Sequence, residues 1–202
     1  MELNTESRLV VKLGGSLYDH PQLMPGIHKW LATREESRIL IVAGGGVLVD
    51  AIRELDRWQS IGQELSHRYA LQATQLATMI LSERTGLSIA PHLLEWWEKA
   101  VVSRVQLLNS EVFLQRYETQ FGAVPHTWEL TTDSIAAYAA VASNCPLVLL
   151  KSVDMSPETS WQAAADAGWV DPHFPSVVAK YSLDAKSLNF RRWLDGEFQK
   201  LP

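Results

Sequence analysis

Two glycine clusters and one lysine carry the chemistry legible in this sequence. Gly14-Gly15-Ser16 directly follows the apolar run Arg8 to Leu13, and Gly44-Gly45-Gly46 follows the run Arg38 to Ala43. Glycine lacks a Cβ, so backbone N–H groups there approach an anion closely and accept positive φ. A helix starting just beyond adds its free N–H groups and its dipole. Two such loops at the carboxyl ends of parallel strands would hold two phosphate groups facing each other. Lys12 lies inside the first apolar run, two residues before its glycines. A lysine buried without a partner is costly, so it should reach the strand end and meet an anion, the competing reading being a lysine that snorkels from an edge strand. Transferring phosphoryl groups develop charge on their oxygens, which a positioned ammonium stabilises. Neither loop is a standard nucleotide fingerprint: there is no G-x-x-x-x-G-K-[ST] and no well-placed G-x-G-x-x-G.

The elements that must position these groups alternate between short apolar runs and longer amphipathic ones. RLVVKL (8–13), RILIVA (38–43) and PLVLL (146–150) read as buried strands, apolar on both faces. Helical spacing runs from about Pro21 to Thr33, from Val47 to Trp58 and from Gly62 to Arg84. In the last of these, Leu65, Tyr69, Leu76, Ile80 and Leu81 share one face, and Gly86 is a C-terminal stop. Lys99 to Arg104 reads as a short strand and Ser110 to Tyr117 as a short helix. The Ala-rich run TTDSIAAYAAVAS from Thr131 opens with hydroxyl and carboxylate groups suited to an N-cap. WQAAADA is helical, GWVDPHFP is turn-rich, and Leu188 to Phe198 is a last helix or turn. The whole predicts an α/β fold around a mainly parallel sheet covered on both sides.

The 202 residues carry 18 Lys plus Arg against 23 Asp plus Glu, a net charge of −5. With no basic stripe to replace phosphate counterions, nucleic acid is not an expected partner. No apolar run approaches the roughly 18 residues that span a bilayer, and the polar N-terminus MELNTESRLV lacks the features of a signal peptide. A cytoplasmic chain with no membrane partner is expected. The single cysteine, Cys145, excludes an internal disulfide and any multi-cysteine metal site. His126 and His173 each adjoin a proline, and no H-x-x-x-H or H-E-x-x-H pair supports a metal, so no metal-ligating residues are expected. Trp96-Trp97 and Trp128 are candidates to line a pocket for an aromatic ring, with packing the competing reading.

VVKLGGS at 10–16, IVAGGG at 41–46, TTDSIAAYAA at 131–140 and LLKSVD at 149–154 stand in the order found in the amino acid kinase superfamily, which this chain resembles over about residues 8–155. The resemblance implies a three-layer α/β/α sandwich, a single amino acid kinase-like domain over 1–202. Its acceptor-binding half would span about 1–125 and its ATP-binding half about 126–202. It implies that Lys12 stabilises the transferring phosphoryl group and that Gly14, Gly15 and Ser16 form the ATP phosphate loop. Gly44, Gly45 and Gly46 would face the acceptor, with Thr131 and Thr132 also on the substrate. Asp133 would orient the catalytic lysines, and Lys151, Ser152 and Asp154 would belong to the nucleotide-side loop. The cofactors implied are ATP and the Mg²⁺ carried with it. By itself an acidic residue in the first turn of a helix is a cap or dipole partner; beside Thr131 and Thr132, with Lys12 needing a counter-charge, Asp133 reads as an organiser of charge.

Within the superfamily, HTWELTTDSIA, LLKSVD and WVDPHF resemble the branch of aminomethylfuran phosphate kinases of methanofuran-type cofactor biosynthesis. These add a second phosphate to a phosphomonoester. On that resemblance His67 is a candidate acceptor contact. The chain departs from the wider pattern where Met155 follows Asp154 in place of glycine, and two lysines, Lys151 and Lys180, are candidates for a second catalytic lysine. Two other readings stand beside the kinase: a catalytically lapsed nucleotide- or metabolite-binding sensor of the same fold, and a uridylate-kinase-like enzyme. The apolar face of Gly62–Arg84 makes a homodimer a candidate assembly. The motifs end near Asp154, so the short remainder implies a kinase without regulatory additions.

Overall fold

The computed structural model describes residues 7–90, 92–93, 103–122 and 124–197. Trp96, Trp97 and most of the strand expected over 99–104 lie outside them.

The three continuous apolar runs form β1 (Arg8–Leu13), β2 (Arg38–Ala43) and β5 (Leu147–Lys151). Between β1 and β2 come a short 3₁₀ turn, Gly15–Leu17, and α1 (Leu23–Ala32). The chain continues through α2 (Val47–Gln59), α3 (Gln63–Thr85), β3 (Ile89–Ala90), β4 (Val105–Leu108), α4 (Ser110–Phe121) and α5 (Thr132–Ser143). After β5 follow α6 (Trp161–Asp166), α7 (Phe174–Tyr181), β6 (Ala185–Asn189) and α8 (Phe190–Leu194).

The strands form one sheet, β3-β4-β2-β1-β5-β6, with every pair parallel. Side chains alternate across it. Val10, Leu40, Val42, Leu147 and Leu149 join one buried cluster, under α4, α5 and α7. Val11, Leu13, Ile39, Ile41 and Leu150 join the other, with α1 and α8. This is the expected α/β/α sandwich. The strand order runs outward from β1 through β2 on one side and resumes at β5 on the other. Such a reversal opens a crevice at the carboxyl ends of the strands, where open α/β sheets bind ligands.

Three expectations need correction. The apolar face expected of α3 is only partly buried: Leu81 lies in the core, but Leu76 and Ile80 are each 48 % exposed, and the helix also buries Ser66, His67, Thr74 and Thr78. That side of the helix walls a polar cavity, described below. Of the strand expected over 99–104, the described residues 103 and 104 are not part of a strand, and β4 is Val105–Leu108. Ala185–Asn189 is the edge strand β6, overlapping the helix or turn expected from Leu188, and the turn-rich tail of GWVDPHFP runs into α7, where Pro175 sits in the first helical turn.

Candidate active site

Strand registry brings the charged groups together. Lys12 pairs with Leu149, so Lys151 lies two residues further along β5 and shares the same face of the sheet. That is the face covered by α5, whose second residue is Asp133. Lys12 Nζ lies 2.9 Å from Asp133 Oδ1, and Lys151 Nζ donates to Oδ1 and Oδ2 at 3.0 and 3.1 Å. All three side chains are buried. Burial alone would push the Asp133 carboxyl up, but Lys12 and Lys151 hold it below the usual carboxylate range. Burial and the neighbouring Lys12 pull the Lys151 ammonium down to about 8, against the opposing attraction of Asp133. Two ammonium groups on one carboxylate leave a net positive charge at the mouth of the crevice.

The glycine loops meet above this group. Gly14 N–H donates to the Leu150 carbonyl at 2.9 Å and Gly44 N–H to the Leu13 carbonyl at 2.8 Å, so both loops are pinned to strand ends. They then touch each other through backbone alone. A Cβ on Gly15 would come within 2.3 Å of Gly46 N, and one on Gly44 within 2.5 Å of Gly15 N. Gly46 sits at φ +55, a backbone conformation that favours glycine, where α2 begins. The glycines thus serve close approach as well as turning, and they leave the N-terminus of α2 facing the crevice.

A cavity of about 270 Å³ opens here, lined by Lys12, both glycine loops, Ser16, Lys151, Thr131 and Thr132. His67 also lines it from α3. Burial and the adjacent ring of His126, stacked at 5.3 Å, keep the His67 imidazole below the ordinary histidine range, and its Nε2 meets no partner among the described residues. Of the remaining expected residues, Asp133 stands behind the lysines. Ser152 reaches the site only through its hydroxyl, 2.8 Å from that of Ser16. Asp154 lies outside the cavity, exposed and 3.3 Å from Arg192. Of the two candidates for a second lysine, Lys151 joins Asp133, whereas Lys180 Nζ donates to the Phe121 carbonyl at the end of α4.

Several lining residues carried no signal in the sequence. Asp50 and Arg53 face the cavity from α2, and their i,i+3 ion pair at 2.8 Å looks like any solvated helix pair. Trp128 does line the cavity; its indole N–H donates to Asp56 at 2.9 Å and the Arg53 guanidinium lies 4.7 Å above its ring. The N-cap of α5 is a further difference. Thr131 makes no side-chain cap, and the cap comes from Asp171, forty residues later. Among the described residues no group of three His, Cys, Asp or Glu side chains is arranged to hold a metal ion, and no helix is long and apolar enough to cross a membrane.

No family model matches the chain. It is similar to the [5-(aminomethyl)furan-3-yl]methyl phosphate kinase of Methanocaldococcus jannaschii, with 27 % identity over 131 residues. That match takes in 64 % of this chain and 58 % of the archaeal protein's length. Among solved structures it superposes on uridylate kinase from Archaeoglobus fulgidus with a TM-score of 0.61, at 15 % identity over 95 % of this chain and 96 % of the other. UMP kinase from Bacillus anthracis gives 0.62, again at 15 % identity, covering 95 % and 93 %. The chain therefore has the amino acid kinase fold, and the resemblance drawn from its ordered motifs is borne out.

Proposed function

We propose that this chain is an ATP-dependent small-molecule kinase that transfers the γ-phosphoryl group to a phosphomonoester, giving a diphosphate. One observation carries the reading: two glycine loops in backbone contact, with Lys12, Asp133 and Lys151 at their seam. Such a seam presents donor and acceptor phosphates end to end, so part of the barrier is met by positioning alone. Mg-ATP would lie over Gly14–Ser16 and the loop after β5, and its Mg²⁺ would supply charge neutralisation at the phosphates. The acceptor phosphate lies at Gly44–Gly46, and the halves about 1–125 and about 126–202 meet between them. Lys12 and Lys151 stabilise the charge that grows on the transferring oxygens. Asp133 keeps both ammonium groups in place; no general base is required because the acceptor phosphate is already ionised. A cytoplasmic location goes with ATP as donor.

The acceptor we favour is an aminomethylfuran phosphate, on the likeness to the archaeal kinase and on Trp128, which offers an aromatic wall to a small ring. Transfer from Mg-ATP to [5-(aminomethyl)furan-3-yl]methyl phosphate and to UMP, run side by side, tests this. Diphosphate formation on the furan phosphate is expected; turnover of UMP alone favours the uridylate-kinase-like reading. Calorimetric binding of Mg-ATP without turnover of any phosphomonoester turns the assignment to a sensor module.

The Lys151 ammonium gives a pH signature. A lysine drawn down to about 8 is charged below that pH and neutral above it. We expect kcat/KM for Mg-ATP, which reports the free enzyme, to hold to about pH 8 and to fall above it. A profile flat to about pH 10 would remove Lys151 from charge stabilisation.

A homodimer through α2 and α3 belongs to the same proposal. Val47, Leu55 and Trp58 on α2 and Tyr69, Leu76, Met79 and Ile80 on α3 are exposed large apolar side chains, which we assign to one outward stripe. At 150–250 Å² for a large aromatic side chain, and less for an aliphatic one, the stripe exposes on the order of 600 Å² of apolar surface. That reaches the upper limit for a monomer's largest patch and approaches the roughly 800 Å² each partner buries in a standard interface. A second copy meets it as a self-complementary face. Light scattering on a sizing column should report twice the chain mass, and the double variant W58E/L76E the single mass. Wild-type protein eluting as a monomer at about 50 µM would count against it.

A further inference from the structure

Asp171 lies in the string WVDPHF, in the segment between α6 and α7, and is 5 % exposed. Its Oδ2 accepts from Thr131 N–H at 2.9 Å, Thr131 Oγ1 at 2.9 Å and Ser134 N–H at 3.0 Å. Its Oδ1 accepts from Ser134 Oγ at 2.5 Å and Phe174 N–H at 2.9 Å. The first and third of these donors are the N-cap and N3 amides of α5, the pair that a local capping box satisfies. Here one carboxylate from a distant segment satisfies both. A second clamp supports it: His173 N–H donates to the Glu129 carbonyl at 3.1 Å, and the His173 ring lies 2.8 Å from the Tyr138 hydroxyl on α5.

The donors on Asp171 are hydroxyls and amides, and burial together with the nearby Asp133 pushes its carboxyl up. An ionised carboxylate is expensive in such a place unless its bonds are nearly complete. A plain helix cap needs no such residue, since Thr131 or Thr132 could cap α5 with its own hydroxyl. What the arrangement adds is immobility. Thr131 and Ser134 are both tied to one rigid acceptor, and between them lie Thr132, which lines the cavity, and Asp133, which holds the lysines.

We propose that Asp171 is a positioning residue for phosphoryl transfer: it locks the first turn of α5 so that Asp133 holds Lys12 and Lys151 at the seam between the glycine loops. The proposal rests on the kinase reading for its purpose, but its physical content can be tested without turnover. In Asp171→Asn the amide NH₂ or the single remaining oxygen must face the Thr131 and Ser134 N–H groups while the other serves Ser134 Oγ and Phe174 N–H, so at least one set of bonds is lost. With the turn loosened, Asp133 attracts Lys151 less, and the Lys151 ammonium, faced by Lys12 and Asp133, gives up its proton more easily.

The measurement is an NMR titration of the full chain labelled at lysine ¹³Cε, with the Lys151 signal assigned from Lys151→Arg. The Lys151 midpoint in Asp171→Asn is expected to fall by half a pH unit or more relative to wild type, with the lysines that do not touch Asp133 unmoved. In the kinase assay kcat should drop at least tenfold, with the KM for Mg-ATP within threefold and the basic limb displaced to lower pH. An unchanged Lys151 midpoint in a folded variant overturns the proposal, because a purely structural cap alters melting without moving that titration. If the variant does not fold, Thr131→Val with Ser134→Ala removes two hydroxyl donors, keeps the amide bonds and carries the same titration. A moved midpoint in a chain that phosphorylates nothing leaves the positioning role standing and sinks the kinase reading alone.

Discussion

Replacing Lys12 by alanine is expected to lower kcat by roughly 10³-fold, the scale seen when one preorganised donor to transition-state charge is removed. The KM for Mg-ATP should change far less, because the ammonium is positioned for charge that grows only as the phosphoryl group moves. The fold should survive. Lys151 remains on Asp133 through two bonds, so the buried carboxylate keeps a counter-charge, and the registry of β1 with β2 and β5 is set by apolar neighbours on both sides. Lys12→Arg should recover only part of the activity: its planar fork retains the charge but does not place it where a slim ammonium sits, 2.9 Å from Asp133. Steady-state kinetics with parallel melting curves settle the matter. Near-normal turnover in Lys12→Ala would remove Lys12 from the mechanism and with it the central argument for a kinase.

The parts of this site that the sequence discloses are those with a local cause. Lys12 stands out because a charge interrupts VVKL, and the glycines stand out because they end apolar runs. Both signals need only the chain within a few residues. The strand pairing that puts Lys151 on the same face as Lys12 follows from period-two alternation, but only once β5 is known to neighbour β1. Asp171 had no such route: its five donors come from a turn some forty residues away and from Phe174, and nothing in WVDPHF announces them. The buried face of α3 misled for a related reason. Periodicity assigns apolar residues to the inside, whereas here the inside is partly a polar cavity walled by His67 and Thr74, so that part of the apolar stripe faces outward. β6 escaped because an edge strand carrying Lys186 and Ser187 lacks an apolar run, and α7 because its initiating Pro175 reads as a turn.

Asp133→Asn should have the largest effect on stability. Removing the carboxylate leaves two buried ammonium groups facing each other, and breaking a buried ion pair on one side costs about 3–5 kcal/mol. At roughly 2–4 °C per kcal/mol for a chain of this size, the melting midpoint at pH 7 should fall by about 10 °C. The pH dependence has a definite sign. Without the carboxylate Lys151 holds its proton less tightly folded than unfolded, so the unfolded state binds more protons as pH rises from neutrality, and stability climbs. The variant should therefore regain part of its loss between about pH 7 and pH 10, more steeply than wild type, in which Lys151 is already drawn down to about 8. A second substitution separates stability from catalysis. Asp133→Asn with Lys151→Met removes one of the opposed cations and should recover much of the melting temperature at pH 7, while phosphoryl transfer stays at the level of the single variant or below. If the double variant melts no higher than Asp133→Asn, like-charge repulsion between Lys12 and Lys151 is not what Asp133 offsets. If it recovers activity as well as stability, Asp133 is a structural counter-ion and does not organise the catalytic lysines.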